Sequence, residues 1–306
     1  MDGVVSAALR RLAAVPPTLL GISLVTFLLV HLAPGDPAAL RAGLGHGVTA
    51  EVIAENRALA GLDRPLLPRY GAWLGRSARL DFGVSLVDGR PVRARIAEAL
   101  PATALLALGA ALLAFGAAVP LGVFSARRDG TRAASLLEVA LAIAYGFPSL
   151  ALALLLLRAG APYGGGGVAL LAPATCLALP SMVTLSRYQR GALLGVLHAD
   201  FVRTARAKGA SERAVLWVHA LRNALIPMVT LLGAQVPALL SGSVIVERVF
   251  GVRGLGMLGY EALLARDYPT LMALATLGAL FTLGGVLLAD GACALVDPRL
   301  RARDGG

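Results

Sequence analysis

Pro101-Ala-Thr-Ala-Leu-Leu-Ala-Leu-Gly-Ala-Ala-Leu-Leu-Ala-Phe-Gly-Ala-Ala-Val-Pro-Leu-Gly-Val-Phe124 runs its whole length without a charge. Roughly 20 apolar residues suffice for a helix to cross the hydrocarbon core of a bilayer, so this stretch reads as a membrane span. A cation at its middle would cost about 2.5–3.5 kcal/mol on insertion scales, and it has none. Five further windows with few or no charges lie near 12–32, 137–157, 168–186, 223–244 and 270–290. Together they predict an all-α integral membrane protein with six transmembrane helices. The chain is 57% apolar, with a mean hydropathy of +0.75, against about half apolar for soluble domains. The first window is too long for a signal-peptide core and no small-x-small cleavage site follows it, so it reads as an uncleaved helix.

The net charge of +10 invites a nucleic-acid reading, but the cations flank the spans instead of forming one stripe. With the N-terminus inside, the internal segments hold 15 cations and the longer external ones 13, which puts both termini in the cytoplasm. Cys176 and Cys293 fall inside apolar segments and read as small core residues. Pro16, Pro17, Pro120, Pro148, Pro173, Pro180, Pro227 and Pro237 lie in or at the ends of the spans, where each tends to kink its helix.

The organisation that follows is a first helix at 1–32, an external segment at 33–100, a membrane core at 101–290 and a tail at 291–306. Pro34-Gly35-Asp36-Pro37 stops the first helix, and Thr49 with Glu51 starts a short capped one. Val92, Ile96 and Leu100 share a face, which predicts an interfacial helix leading into the second span. Gly164 to Gly167 form a connector. Glu247 to Gly256, with Gly254, Leu255 and Gly256 at its end, reads as a charged glycine-rich external loop of the length that often carries function.

The cytoplasmic segment 187–222 is the most informative. Phe201 to Lys208 is a plausible short helix that Gly209 ends in a left-handed cap. Ser211 with Glu212 and Arg213 starts a second helix running to Leu221. A stiff basic elbow of this kind suits docking to a soluble partner. Anchoring to lipid headgroups would need the cations but not the Ala205-x-x-x-Gly209 pattern.

Arg203-Thr-Ala-Arg-Ala-Lys-Gly209, followed by His219-Ala-Leu-Arg-Asn-Ala-Leu-Ile-Pro227, resembles the cytoplasmic loop of ABC-transporter permeases of the dipeptide/oligopeptide/nickel importer branch. Arg203 stands where the general permease motif has Glu, and the interval to Pro227 is long; both are usual in this branch. Arg10-Arg11, Leu32 to Pro37, Gly61 to Pro65, Asp81-Phe-Gly83, Leu100-Pro-Ala-Thr103, Arg266-Asp-Tyr-Pro269 and Asp297-Pro-Arg299 also fit, whereas Val252-Arg253 replaces a frequent Trp-Pro pair. The resemblance implies a type I ABC importer permease fold in a bacterial inner membrane. It implies a coupling helix at the elbow, an external segment between helices 1 and 2, and a peptide cargo, with nickel chelates, glutathione or other small solutes as alternatives. The implied partners are a second permease, two ATP-binding subunits that bind the ATP and Mg, and an external substrate-binding protein. Arg203, Thr204, Ala205, Arg206, Lys208, Gly209 and Ser211 would meet the ATPase.

Two rival functions weigh less. An ion-coupled secondary transporter needs ionisable groups at mid-membrane, and His31, Glu138 and Asp290 sit at span ends. A membrane enzyme needs a catalytic cluster, and the sequence has no Ser/His/Asp set, no His-Glu-x-x-His and no metal-ligand spacing for His31, His46, His198 and His219. Lys208 is followed by Gly209 and Ala210, not by Ser or Thr, so the chain lacks the phosphate loop of an ATPase.

Overall fold

The computed structural model of the protein describes residues 2–32, 65–164, 167–225, 228, 231 and 244–296. Nine helices are named here: α1 Asp2–Leu32, α2 Leu66–Ser77, α3 Val92–Arg127, α4 Arg132–Gly146, α5 Ser149–Arg158, α6 Leu171–Leu197, α7 Asp200–Ala207, α8 Leu255–Leu264 and α9 Tyr268–Val296. Shorter helical pieces occupy Gly167–Leu170, 212–224 and 244–250. Among the described residues the one strand-like pairing is an antiparallel bridge between Val84 and Pro91.

Val92–Arg127 and Tyr268–Leu288 are each long and apolar enough to cross a membrane. The window near 137–157, expected as one span with Pro148 tending to kink it, is α4 and α5 meeting at 91°. The cause is local: a proline's ring pushes the preceding residue out of the helical region, and Phe147 sits at φ −79°, ψ 120° before Pro148. Pro16, Pro17 and Pro180 lie inside continuous helices. The window 223–244, Pro227, Pro237, the helix start at Thr49 and the ends Leu32 to Pro37 and Asp297-Pro-Arg299 fall wholly or largely outside the described residues. The expected interfacial helix at 91–100 is the first part of α3, which Pro101 does not interrupt. α6 continues to Leu197, so Arg187 and Arg190 ride on a helix and the turn of the 187–222 segment begins at His198.

The chain divides into two compact units. The first comprises Met1–Leu12, Ala104–Val252 and Thr282–Gly306. There α3 and α6 approach closely at small residues: Ala174 lies 3.6 Å from where a Cβ on Gly109 would stand. A Cβ on Gly122 would be 2.7 Å from both Gln189 Cβ and the Ser186 carbonyl oxygen. Glu138 of α4 accepts from Ser125 Oγ at 2.8 Å and lies 3.7 Å and 3.8 Å from Arg187 and Arg190, the latter also pairing with Asp129 at 2.7 Å. The carboxylate considered for ion coupling is therefore engaged in tying α3, α4 and α6 together.

The second unit comprises Ala13–Thr103 and Arg253–Phe281. α2 lays Trp73 against Phe27 and Met272. The Tyr70 ring stacks on Trp73 and meets Phe27 edge-on, and its hydroxyl lies 2.8 Å from Ser23 Oγ. A second cluster gathers Phe82, Val92, Ile96, Ala99, Leu258 and Ala273.

Candidate functional site

The elbow is α7, a tight reversal, and a second arm over 212–224. Gly209 sits at φ +82°, where an L side chain costs about 1–2 kcal/mol. Its N–H donates to the Arg206 carbonyl at 2.9 Å, and the next N–H, of Ala210, donates to the Ala205 carbonyl at 3.1 Å. This pair of bonds is a Schellman cap, and it closes α7 at Lys208. Ser211 Oγ then accepts from the Ala214 N–H at 3.3 Å and opens the second arm.

Arg206 spans the reversal. Its Nε and Nη2 donate to the two carboxylate oxygens of Glu212 at 2.9 and 3.3 Å. That fork holds the Glu212 carboxyl below its usual range and raises the Arg206 guanidinium further. Both side chains are exposed, so the pair sets the angle of the elbow more than it adds stability.

Val202, Val215, Leu216, Ala220, Leu221 and Ala224 point inward and are buried. Leu216, Ala220, Leu221 and Ala224 pack with Val123 and Ala126 at the end of α3 and Leu193 of α6. The elbow is thereby seated on the ends of two long helices. Its outer surface is Phe201, Arg203, Thr204, Arg206, Lys208, Gly209 and Ser211, all exposed, with Ala205 half-buried beneath them. That surface is a basic rim around an exposed aromatic. The sequence reading missed that Val215–Ala220 is a π-helix, a wider turn often found at functional positions.

Gly254, Leu255 and Gly256, expected in an external loop, do not form an irregular loop. Gly254 caps α8, Leu255 begins it, and Gly256 is buried on its inner side with Leu258 and Ala262. The Leu255 N–H donates to Thr103 Oγ1 at 2.7 Å. Many glycines suggested turns, yet 255, 258 and 262 keep a helical spacing and bury one face. The elbow and this helix belong to different units.

Residues 118–302 match the family described as "Binding-protein-dependent transport system inner membrane component", and residues 5–107 match its N-terminal counterpart. This chain belongs to that family. It is an all-α membrane permease of an ATP-binding-cassette importer, a multi-pass inner-membrane protein that works with ATPase and binding-protein partners. The permease is 36% identical to the oligopeptide transport system permease protein AppB of Bacillus subtilis, over 95% of this chain and 98% of the other. It is 37% identical to a putative peptide transport system permease of Brucella abortus, over 96% and 98%. It is 34% identical to the glutathione transport system permease protein GsiC of Escherichia coli, over 96% and 98%. Its fold matches the MetNI methionine ABC transporter in an inward-facing conformation, with TM-score 0.53 and 19% identity over 65% of this chain and 96% of the other.

Proposed function

We propose that this permease carries peptides, and that its 200–224 elbow is the surface through which ATPase subunits drive it. Relatives named for oligopeptide and peptide transport, matched along nearly the whole chain, support the substrate class. The relatives named for glutathione favour a second reading, a short peptide-like thiol as cargo. The single observation that carries the coupling role is the elbow itself. It is capped at Gly209, braced by Arg206 and Glu212, and seated on α3 and α6, so a push on α7 displaces helix ends rather than bending a loop.

In this reading six spans form half of the translocation path, a second permease supplies the other half, and both termini lie in the cytoplasm. Two ATP-binding subunits hold ATP and Mg, and a substrate-binding protein delivers cargo from outside. Arg203 and Lys208 contribute charge contacts to the ATPase. Thr204, Ala205 and Ser211 shape the surface, and Gly209 with Arg206 holds its angle.

Two variants test it. Gly209→Pro forces φ to about −65° and deletes the N–H that bonds Arg206, so the elbow cannot close. Ala205→Trp places a bulky group under the docking face. Both are expected to leave insertion and partner-permease assembly intact while peptide uptake into proteoliposomes and substrate-stimulated ATP hydrolysis disappear. Uptake at wild-type rate in both would remove the elbow from the mechanism.

A further inference from the structure

Four short motifs, Asp81-Phe-Gly83, Leu100-Pro-Ala-Thr103, Gly254-Leu-Gly256 and Arg266-Asp-Tyr-Pro269, have no task in the coupling scheme, and they meet in the second unit. Asp267, in the last of them, is wholly buried and is the hub of a polar network beside them. Its Oδ2 accepts from Ser85 Oγ at 2.5 Å, Thr270 Oγ1 at 2.7 Å and Arg95 Nη1 at 3.0 Å, and its Oδ1 accepts the Leu86 N–H at 3.1 Å. Arg95 Nη1 also donates to Ser85 Oγ at 2.7 Å, and its Nε lies 3.5 Å from Asp88. One carboxylate thus gathers the 84–91 hairpin, the first turn of α3 and the start of α9.

Two further ties complete the assembly. Thr103 Oγ1 holds the first N–H of α8. Phe82 packs into the cluster of Val92, Ile96, Ala99, Leu258 and Ala273. Arg266, just before the hub, is held at φ +52°, an unfavourable conformation for a residue with a Cβ. With Arg266 in that conformation, the Arg266 and Asp267 N–H groups close the end of α8 on the Leu263 and Ala262 carbonyls. An apolar cluster already stabilises this unit, and a buried ion pair adds little net stability over an apolar one. What the Asp267 carboxylate does supply here is a set of directed bonds to Ser85, Leu86, Arg95 and Thr270.

We propose that Asp267 is a positioning residue that locks the 84–91 hairpin, the first turns of α3 and α9 and the end of α8 into one rigid clamp, through which the docked external binding protein acts on the transport cycle. The proposal rests on the reading of this chain as a permease activated by such a protein. A clamp conveys a docking event only while its parts move as one body, because a bistable element and not a soft one carries coupling.

The test uses the assembled transporter, with partner permease and ATPase subunits, in nanodiscs. Its binding protein is loaded with a mixed tetrapeptide library or with glutathione, and ATP hydrolysis is measured as that protein is titrated in. Asp267→Asn strips the charge from the hub and leaves the largely buried Arg95 with only Asp88, 3.5 Å from its Nε, as a counter-ion. Basal hydrolysis is expected to stay at the wild-type rate while stimulation falls about tenfold, within the usual span of allosteric coupling. Ser85→Ala, a gentler change, should raise the binding-protein concentration needed for half-maximal stimulation. Arg95→Gln with Asp267→Asn, an uncharged pair of similar shape, should recover part of the stimulation. Wild-type stimulation in Asp267→Asn overturns the proposal. So does a parallel fall of basal and stimulated rates in Ser85→Ala, which would make the hub a general support. A wild-type transporter indifferent to its loaded binding protein would instead remove the underlying reading.

Discussion

Gly122 shows how a single hydrogen can set the distance between two membrane helices. Its missing Cβ lets α3 come within contact of Gln189 and the Ser186 carbonyl on α6, and 2.7 Å leaves no room for a methyl group. The Gln189 carboxamide beside it is wholly buried, and neither Oε1 nor Nε2 has a hydrogen-bond partner. A pair of helices carrying an unsatisfied amide tolerates little further strain. Gly122→Ala is expected to destabilise the chain by about 1–3 kcal/mol, the usual cost of overpacking, seen as a lower melting temperature by circular dichroism in detergent. Gly209 differs in kind. Its role was legible from its place after a helix-forming run, because a left-handed cap is a local event. Nothing local distinguishes Gly122 from Gly116, which has open space around it. Only the arrival of α6 separates them.

At the scale of elements, the elbow should respond to pH through one pair. The Glu212 carboxyl is depressed in the folded protein by its bonds to Arg206. A depressed folded value means that the contribution is fully present above the unfolded carboxylate value of about 4.3 and is lost as pH falls through the folded value. Hydrogen exchange at the Gly209 and Ala210 amides is therefore expected to lose protection on acidification below that range, relative to the amides of α3. Glu212→Gln should flatten the response; equal pH dependence in that variant would show the fork to be irrelevant. The ends of α7 lay close to expectation, although only the second carries a capping signal, Gly209, and the first has Ala199 at its cap position with no side-chain bond. The bend between α4 and α5 was carried by Phe147-Pro148, whose dipeptide preference is visible in sequence, although its 91° depends on packing. The helix α8 was obscured by glycines that normally mark turns; burial of Gly256, Leu258 and Ala262 overrode that preference.

For the whole molecule, the distribution of cations makes a topological prediction. In a chain with Cys176 and Cys293 replaced, His198→Cys should react with a membrane-impermeant maleimide only from the cytoplasmic side, and Val87→Cys only from outside. Both positions are exposed on the protein surface, so labelling reports sidedness directly. Reaction of both from one face would refute the assigned orientation. Membrane insertion, helical class, family and the elbow were determined by sequence alone, because hydrophobic run length, the positions of charges and helix caps act within a turn or two of themselves. The tertiary structure alone decided that Asp81-Phe-Gly83, Thr103, Leu255 and Asp267 are one assembly. It also decided that Glu138 is a tie between helices and that Gly122 is a contact point. Each of these depends on partners far along the chain, and a buried charge or a missing Cβ acquires its meaning only from the atoms that folding brings against it.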